Sequence, residues 1–226
     1  WKSYRRKNEQ DSCKNRRTKG AMMKQYHKIK TYIEHTPFHV VFEGMDGTGK
    51  SSLALALKEL LMTEFAESDI LMIRNPSSPV LYKQMHEMPL TSFQIGMSTL
   101  ADALTLQNDN RNTFYNGGKI IIQDRSAIQS GIAYNLGRMS TEESYVWMRN
   151  AEYFNPTLLG NAKIVVLTNE PFREEDNHFR GQEYREYQAM VNNGLDDFGN
   201  KIIGYQCCST PAQDAKYVLN RLLKEI

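Results

Sequence analysis

Cysteine is scarce, no long apolar run exists and nothing repeats, and each of these shortages removes a class of protein. Three cysteines stand among 226 residues, Cys13 and the adjacent pair Cys207 and Cys208. They form no metal-ligand spacing, and neighbouring residues are poorly placed to bridge each other. Neither a disulfide framework nor a zinc module is expected, and a reducing compartment is the expected home. No apolar stretch approaches the roughly 18 residues of a membrane span, and no signal-peptide core is visible. The expectation is a soluble intracellular protein with no membrane partner, cytoplasmic in first reading, with an organellar address as the alternative. Low-complexity tracts and internal repeats are absent, and the length suits one α/β domain rather than two.

What is present begins with charge. Residues 1–30 carry eleven Lys and Arg against Glu9 and Asp11, which leaves seventeen Lys and Arg against twenty-four acids in the remainder. The near-neutral total of +2 conceals that asymmetry. The basic stretch reads as an arm for nucleic acid, protein or an anionic surface, as the remnant of a targeting segment, or as a solvated extension that touches nothing. The expected division is a basic, flexible extension over 1–37 and a single catalytic domain over 38–226.

The domain opens on the apolar run Val40-Val41-Phe42, which feeds Glu43-Gly44-Met45-Asp46-Gly47-Thr48-Gly49-Lys50-Ser51-Ser52. Leu53, Leu57, Leu60 and Leu61 follow at helical spacing. That order predicts a strand, a phosphate-binding loop and a helix. Gly44, Gly47 and Gly49 permit a tight path that aims backbone N–H groups at phosphate oxygens, and the helix dipole adds to the attraction. Lys50 reaches for the β- and γ-phosphates, and the Ser51 hydroxyl is a candidate Mg²⁺ ligand. Asp46, Thr48 and Ser52 complete the candidate nucleotide loop.

Four more apolar runs alternate with helical segments: Asp69 to Arg74, Lys119 to Ser126, Lys163 to Thr168 and Lys201 to Cys207. Five such strands predict a parallel sheet covered by helices on both faces. Ligands of open α/β sheets bind at the carboxyl edge, which places Arg74 near the phosphate loop. Asp124 ends the third strand as a candidate Mg²⁺ carboxylate, and Arg125 beside it can hold a phosphate bidentately. Residues 81–116 read as helical with Pro89 as an interruption, and Thr141 to Asn150 as a helix, with Asn155-Pro156 marking a turn. The stretch Asn169 to Gly181, with Arg173 and Arg180, reads either as a lid over the transferring phosphate or as a charged surface turn. Thr210-Pro211-Ala212-Gln213 has the pattern of a capping box with proline at the first helical position.

From about Phe38 to Ile226 the chain resembles the thymidylate kinase family. The resemblance rests on FEGMDGTGKSS, on IRNP after the second strand, on a helix ending NDNR, on DRS followed by SGIAYN, on an arginine-bearing segment and on a final strand and helix. It implies the P-loop NTPase fold with a five-stranded parallel sheet, Mg²⁺, ATP as donor, dTMP as acceptor and a homodimer. By that resemblance Asp46 meets the acceptor sugar's 3′-hydroxyl, Arg74 and Arg125 its phosphate and Arg111 its base, while Tyr134 crowds the 2′ position. Gly47 stands where some members carry a catalytic arginine, so Arg173 and Arg180 are the expected substitutes.

Three departures bear on the acceptor. Gln107 aligns with the family's base-stacking phenylalanine, Ser126 replaces an aromatic or histidine after Asp-Arg, and one extra residue separates that pair from SGIAYN. Beside dTMP phosphorylation stand a polyphosphate-dependent nucleotide kinase, a deoxynucleoside kinase, and a non-catalytic kinase-fold subunit docked through its basic arm.

Overall fold

Strand β1 (Phe38–Gly44) is buried at all seven positions, because it lies in the middle of the sheet with a helical layer on each side. The computed structural model describes residues 24–158, 162–169, 180–196 and 199–226. Their order is helix α1 over 24–33, β1, α2 (Lys50–Leu61), β2 (Ile70–Arg74), α3 (Pro79–Glu87), α4 (Ser92–Asp109), α5 (Arg111–Tyr115), β3 (Ile120–Asp124), α6 (Ala127–Ser130), α7 (Thr141–Leu158), β4 (Lys163–Leu167), α8 (Arg180–Asn193), β5 (Lys201–Tyr205) and α9 (Pro211–Leu222). The sheet has five strands in the order β2-β3-β1-β4-β5. Every pairing is parallel, with Phe42 opposite Asp124 and Gly44 opposite Leu167. This is the doubly covered parallel sheet that the alternating apolar runs predict.

The two faces carry separate cores. Val40 and Phe42 of β1 pack with α1, α2 and α9, through Ile29, Leu53, Leu57, Val218 and Leu222 among others. Val41 points the other way, toward Leu100 of α4, Trp147 of α7 and Tyr187 of α8. Alternation along one strand therefore divides the helices between the layers.

Three local expectations are corrected. Residues 24–33, inside the stretch read as a flexible extension, form α1, whose Tyr26, Ile29 and Ile33 are buried in the core. Spacing of three and four places those residues on one stripe of a basic helix, and Lys28 and Gln25 bond to Leu223 and Asn220 of the α9 end. Residues 1–23 lie outside the described residues. Helix α7 continues through Asn155 and Pro156 to Leu158. A proline interrupts only the hydrogen bond back to residue i−4, so near the C-terminal end it leaves intact the part anchored by buried Trp147 and Ala151. At α9, Thr210 is the N-cap and Pro211 follows, yet Thr210 makes no side-chain cap. The Asp214 carboxylate instead accepts from Tyr205, Ser209 and Cys208, tying the helix start to the end of β5. A reciprocal capping box does exist at Thr91 and Gln94, at the start of α4.

Candidate active site at the carboxyl edge of the sheet

The loop between β1 and α2 is built on backbone that side chains disfavour. Gly44 has φ 135° and Gly49, the N-cap of α2, φ 94°. A Cβ on Gly44 would lie 2.7 Å from the Leu167 carbonyl oxygen, so the close approach of β1 to β4 requires glycine there. No side chain caps α2, which leaves its first-turn N–H groups to a ligand. The Met45 carbonyl is the internal acceptor of the loop, taking Thr48 Oγ1 at 2.8 Å and Lys50 Nζ at 2.6 Å. Burial, and then the Arg125 guanidinium, push the Lys50 ammonium down to about 8. Gly47 turns at φ 77°, and Ser51 and Ser52 lie on the exposed start of α2.

Ser51 Oγ donates to Asp124 Oδ2 at 2.6 Å. Asp124 is buried, and its other oxygen, Oδ1, has no hydrogen-bond partner among the described residues. An orphaned carboxylate oxygen in a buried setting is costly, and it stands beside the hydroxyl and lysine of a phosphate loop. Among the described residues no three His, Cys, Asp or Glu side chains gather into a metal cluster. One carboxylate plus one hydroxyl is the sparse oxygen set that suits Mg²⁺, which keeps waters and takes the rest of its shell from phosphates.

Arg125, the next residue, has φ 70°, the one positive φ outside glycine among the described residues. That turn swings its guanidinium back over the phosphate loop. Arg125 Nη2 donates to Asp46 Oδ1 at 2.5 Å and to Tyr134 OH at 3.3 Å, with the guanidinium carbon 5.1 Å from the Tyr134 ring centroid. Burial opposes ionisation of Asp46, yet Arg125, aided by Lys50, holds its carboxyl below the usual range. Burial pushes the Tyr134 hydroxyl up to about 12 against the pull of Arg125. Arg74 ends β2 in register with Asp124, and its guanidinium carbon lies 5.0 Å from the exposed Tyr82 ring.

Helix α6 passes into a π turn over Gly131–Asn135 and then a 3₁₀ turn. A π turn holds one residue more per hydrogen-bonded ring than an α turn, and Tyr134 within it faces Arg125. Ser126, in the place of the larger ring, becomes the N-cap of α6 and accepts from the N–H groups of Ile128 and Gln129.

The structure thus brings Asp46, Lys50, Ser51, Asp124, Arg125 and Tyr134 together, with Arg74 at the same edge. Gln107 lies near the end of α4 and Arg111 begins α5. Gln107 is buried and donates to Tyr115 OH at 2.9 Å, and Arg111 lies 5.9 Å from the same ring. The α4 side chain that meets the loop after β2 is Asp102, which accepts from Ser77 N, Ser77 Oγ and Ser78 N. Arg173 lies outside the described residues, and Arg180 enters only as the first residue of α8.

Residues that sequence reading passed over complete the site. Glu43, Ser130 and Tyr187 form a buried group behind Arg125. A charged side chain inside an otherwise apolar strand was the available signal for Glu43. Asn169, after β4, pairs reciprocally with the Cys207 backbone after β5, its amide accepting from Cys207 N at 2.7 Å and donating to Cys207 O at 2.8 Å. Nothing in the spacing of those two residues announces that pair.

No protein-family model matches the chain. A thymidylate kinase of Mycoplasma capricolum is 25% identical over 175 residues, which cover 68% of this chain and 81% of that protein. The crystal structure of thymidylate kinase from Ehrlichia chaffeensis superimposes with a TM-score of 0.59 at 15% identity, over 83% of this chain and 98% of that one. Thymidylate kinase from Candida albicans, described for its broad substrate specificity, superimposes with a TM-score of 0.57 at 18% identity, over 83% of this chain and 94% of that one. The two structures establish the P-loop α/β fold. With the Mycoplasma relative, they make thymidylate kinases the proteins that this chain is similar to.

Proposed function

We propose that this protein is a nucleoside-monophosphate kinase that transfers the γ-phosphate of ATP to a deoxynucleoside monophosphate, dTMP before others. One observation carries the reading: Ser51 of the donor loop pairs with Asp124, whose Oδ1 has no partner among the described residues, while Arg125, bonded to Asp46 of the same loop and to Tyr134, stands beside it. A donor site and an acceptor site share one crevice.

Phosphoryl transfer asks for alignment and charge neutralisation rather than covalent chemistry. The α2 N–H groups and Lys50 cradle the donor phosphates, with the ammonium released from Met45 O. Ser51 and Asp124 would hold Mg²⁺, which when bound neutralises charge on the phosphate oxygens. Arg125 holds the acceptor phosphate in line, and Asp46 accepts from the sugar 3′-hydroxyl. The Tyr134 ring occupies the space that a ribose 2′-hydroxyl would need. An acceptor phosphate oxygen is already anionic near neutral pH, so no general base is required. Arg173 and Arg180 are the proposed sources of further positive charge at the transferring group.

A coupled ADP-release assay with ATP and Mg²⁺ tests this against dTMP, dUMP, dGMP, dCMP and thymidine, with Lys50→Ala as control. Turnover is expected with dTMP, lost in the control by on the order of 10²-fold or more and abolished by chelation of Mg²⁺. ATP binding without acceptor-dependent ADP release above the control would sink the proposal. Turnover spread evenly over the monophosphates would keep the kinase and remove the preference for dTMP.

A further inference from the structure

Glu43 is fully buried at the end of β1, one residue before the phosphate loop. Isolated burial of a carboxylate is expensive unless its lone pairs are used, and here they are. Oε1 accepts from the Ser126 N–H at 2.5 Å and from Ser130 Oγ at 3.1 Å. Oε2 accepts from Tyr187 OH at 3.0 Å and Ser130 Oγ at 3.2 Å. These donors come from three different places: the residue after Arg125, the end of α6, and the middle of α8. Tyr187 also meets Tyr134 edge-on, with ring centroids 6.1 Å apart. A second tie, between Arg138 and Glu183, fixes α8 to the 3₁₀ turn that follows the π turn.

We propose, on the basis of the kinase reading above, that Glu43 is a positioning residue: it ties the Arg125 turn and α8 to the phosphate-loop strand and so sets where Arg125 presents its guanidinium to the acceptor phosphate. The backbone of Arg125 needs such a tie. Its φ of 70° is strained for a residue with a side chain, and a conformation of that kind persists only where its surroundings over-determine it. The Ser126 N–H bond to Glu43 and the Arg125 N–H bond to Phe42 O at 3.0 Å pin the turn to β1 on both sides. Helix α8 begins at Arg180, the last but one residue of the stretch read as a lid, and the same carboxylate links that helix to the turn of the acceptor arginine. Glu43 touches neither donor nor acceptor in this reading; it acts through Arg125.

The effect of Glu43→Gln separates this from a purely structural role. Glutamine has nearly the same shape and keeps one acceptor oxygen, and the hydroxyls of Ser130 and Tyr187 can reverse to accept from its amide. What is lost is the second carboxylate oxygen, which accepts from Tyr187 and Ser130, and the negative charge that faces Arg125. ATP and dTMP binding would be measured by titration calorimetry, with steady-state rates and melting curves beside them. The expected result is ATP affinity within about twofold of wild type and kcat/KM for dTMP reduced on the order of 10²-fold, the cost of an ångström of misalignment. Tyr187→Phe removes only the α8 bond and should give the same split, about fivefold, as befits one hydrogen bond. This second variant keeps the test alive if the first does not fold. Glu43→Gln or Tyr187→Phe with kcat/KM for dTMP within twofold of wild type would overturn the proposal, as would equal losses in the ATP and dTMP parameters. A wild-type protein that binds ATP and no monophosphate would overturn the kinase reading and this inference together.

Discussion

Alanine at Gly131 would put a methyl group where the indole of Trp147 already is. The added Cβ would fall well inside van der Waals contact of Trp147 Cζ2, with Cη2 at 2.8 Å and Cε2 at 3.1 Å. Gly96 stands close to the adjoining part of the ring, where a Cβ would lie 2.7 Å from Nε1 and 2.9 Å from Cδ1, and the whole side chain is buried. Overpacking by one methyl usually costs about 1–3 kcal/mol. With the indole fully buried and the added Cβ so deep inside contact distance, the upper end, about 3 kcal/mol, is expected for Gly131→Ala. At roughly 2–4 °C per kcal/mol for a chain of this size, that is a fall in Tm of roughly 6–12 °C. Urea titration read by tryptophan fluorescence and far-UV circular dichroism measures it directly. A double-mutant cycle with Trp147→Phe supplies the control, because a smaller ring makes room and the two changes should cost less together than their sum. Phenylalanine also removes a buried Nε1–H that has no partner. Stability of Gly131→Ala within about 0.5 kcal/mol of wild type, the range of an ordinary surface change, would refute the packing argument.

The low Lys50 value has two consequences. Between its folded value of about 8 and the ordinary 10.5 the unfolded chain binds a proton that the folded chain does not. Lys50 therefore costs stability below pH 8, and the cost fades as pH rises toward 10.5. Lys50→Met should raise the Tm of the nucleotide-free protein at pH 7, by roughly 1–3 kcal/mol of stability, with the gain gone near pH 10.5; a destabilised variant at pH 7 would contradict this. Phosphate should restore the charged form, so calorimetry of ATP binding in buffers of different ionisation enthalpy should register more than about half a proton taken up at pH 8.5 and about a tenth at pH 7, an uptake absent from Lys50→Ala. On the other face of the sheet, Ile29→Ala should cost about 2–5 kcal/mol in urea titration, since α1 is part of the core; a loss under 0.5 kcal/mol would mean that α1 does not dock.

The strands and the phosphate loop were legible because their information is contiguous. Val40-Val41-Phe42 and the glycine-lysine-serine run declare themselves within a dozen residues, and so does the carboxylate at the end of β3. Helix α1 was hidden by its charge: its buried apolar positions, Tyr26, Ile29 and Ile33, stand among lysines and other polar residues. The roles of Gln107 and Arg111 rest on a four-letter pattern at the end of α4, which by itself gives no contacts; in the fold both meet Tyr115. Distance along that helix is fixed by Thr99, whose carbonyl accepts from Asn75, and by Asp102 under the serines after β2. Glu43 and Tyr187 stand 144 positions apart, so only the fold could introduce them.

The π turn between α6 and the 3₁₀ turn acts as a length buffer in the wall of the site. Insertions are usually absorbed by exposed loops, where the chain can bulge into solvent and nothing downstream notices. Here one turn of the wall is itself wider than an α turn by a residue. Upstream, Arg125 keeps its strand register with Phe42 through a backbone bond; downstream, Tyr134 keeps its place against the guanidinium. A chain with such a buffer can change length within a few ångströms of the reacting groups without moving them, so its alignment with relatives can slip by one position in sequence while the side chains that matter stay in step in space.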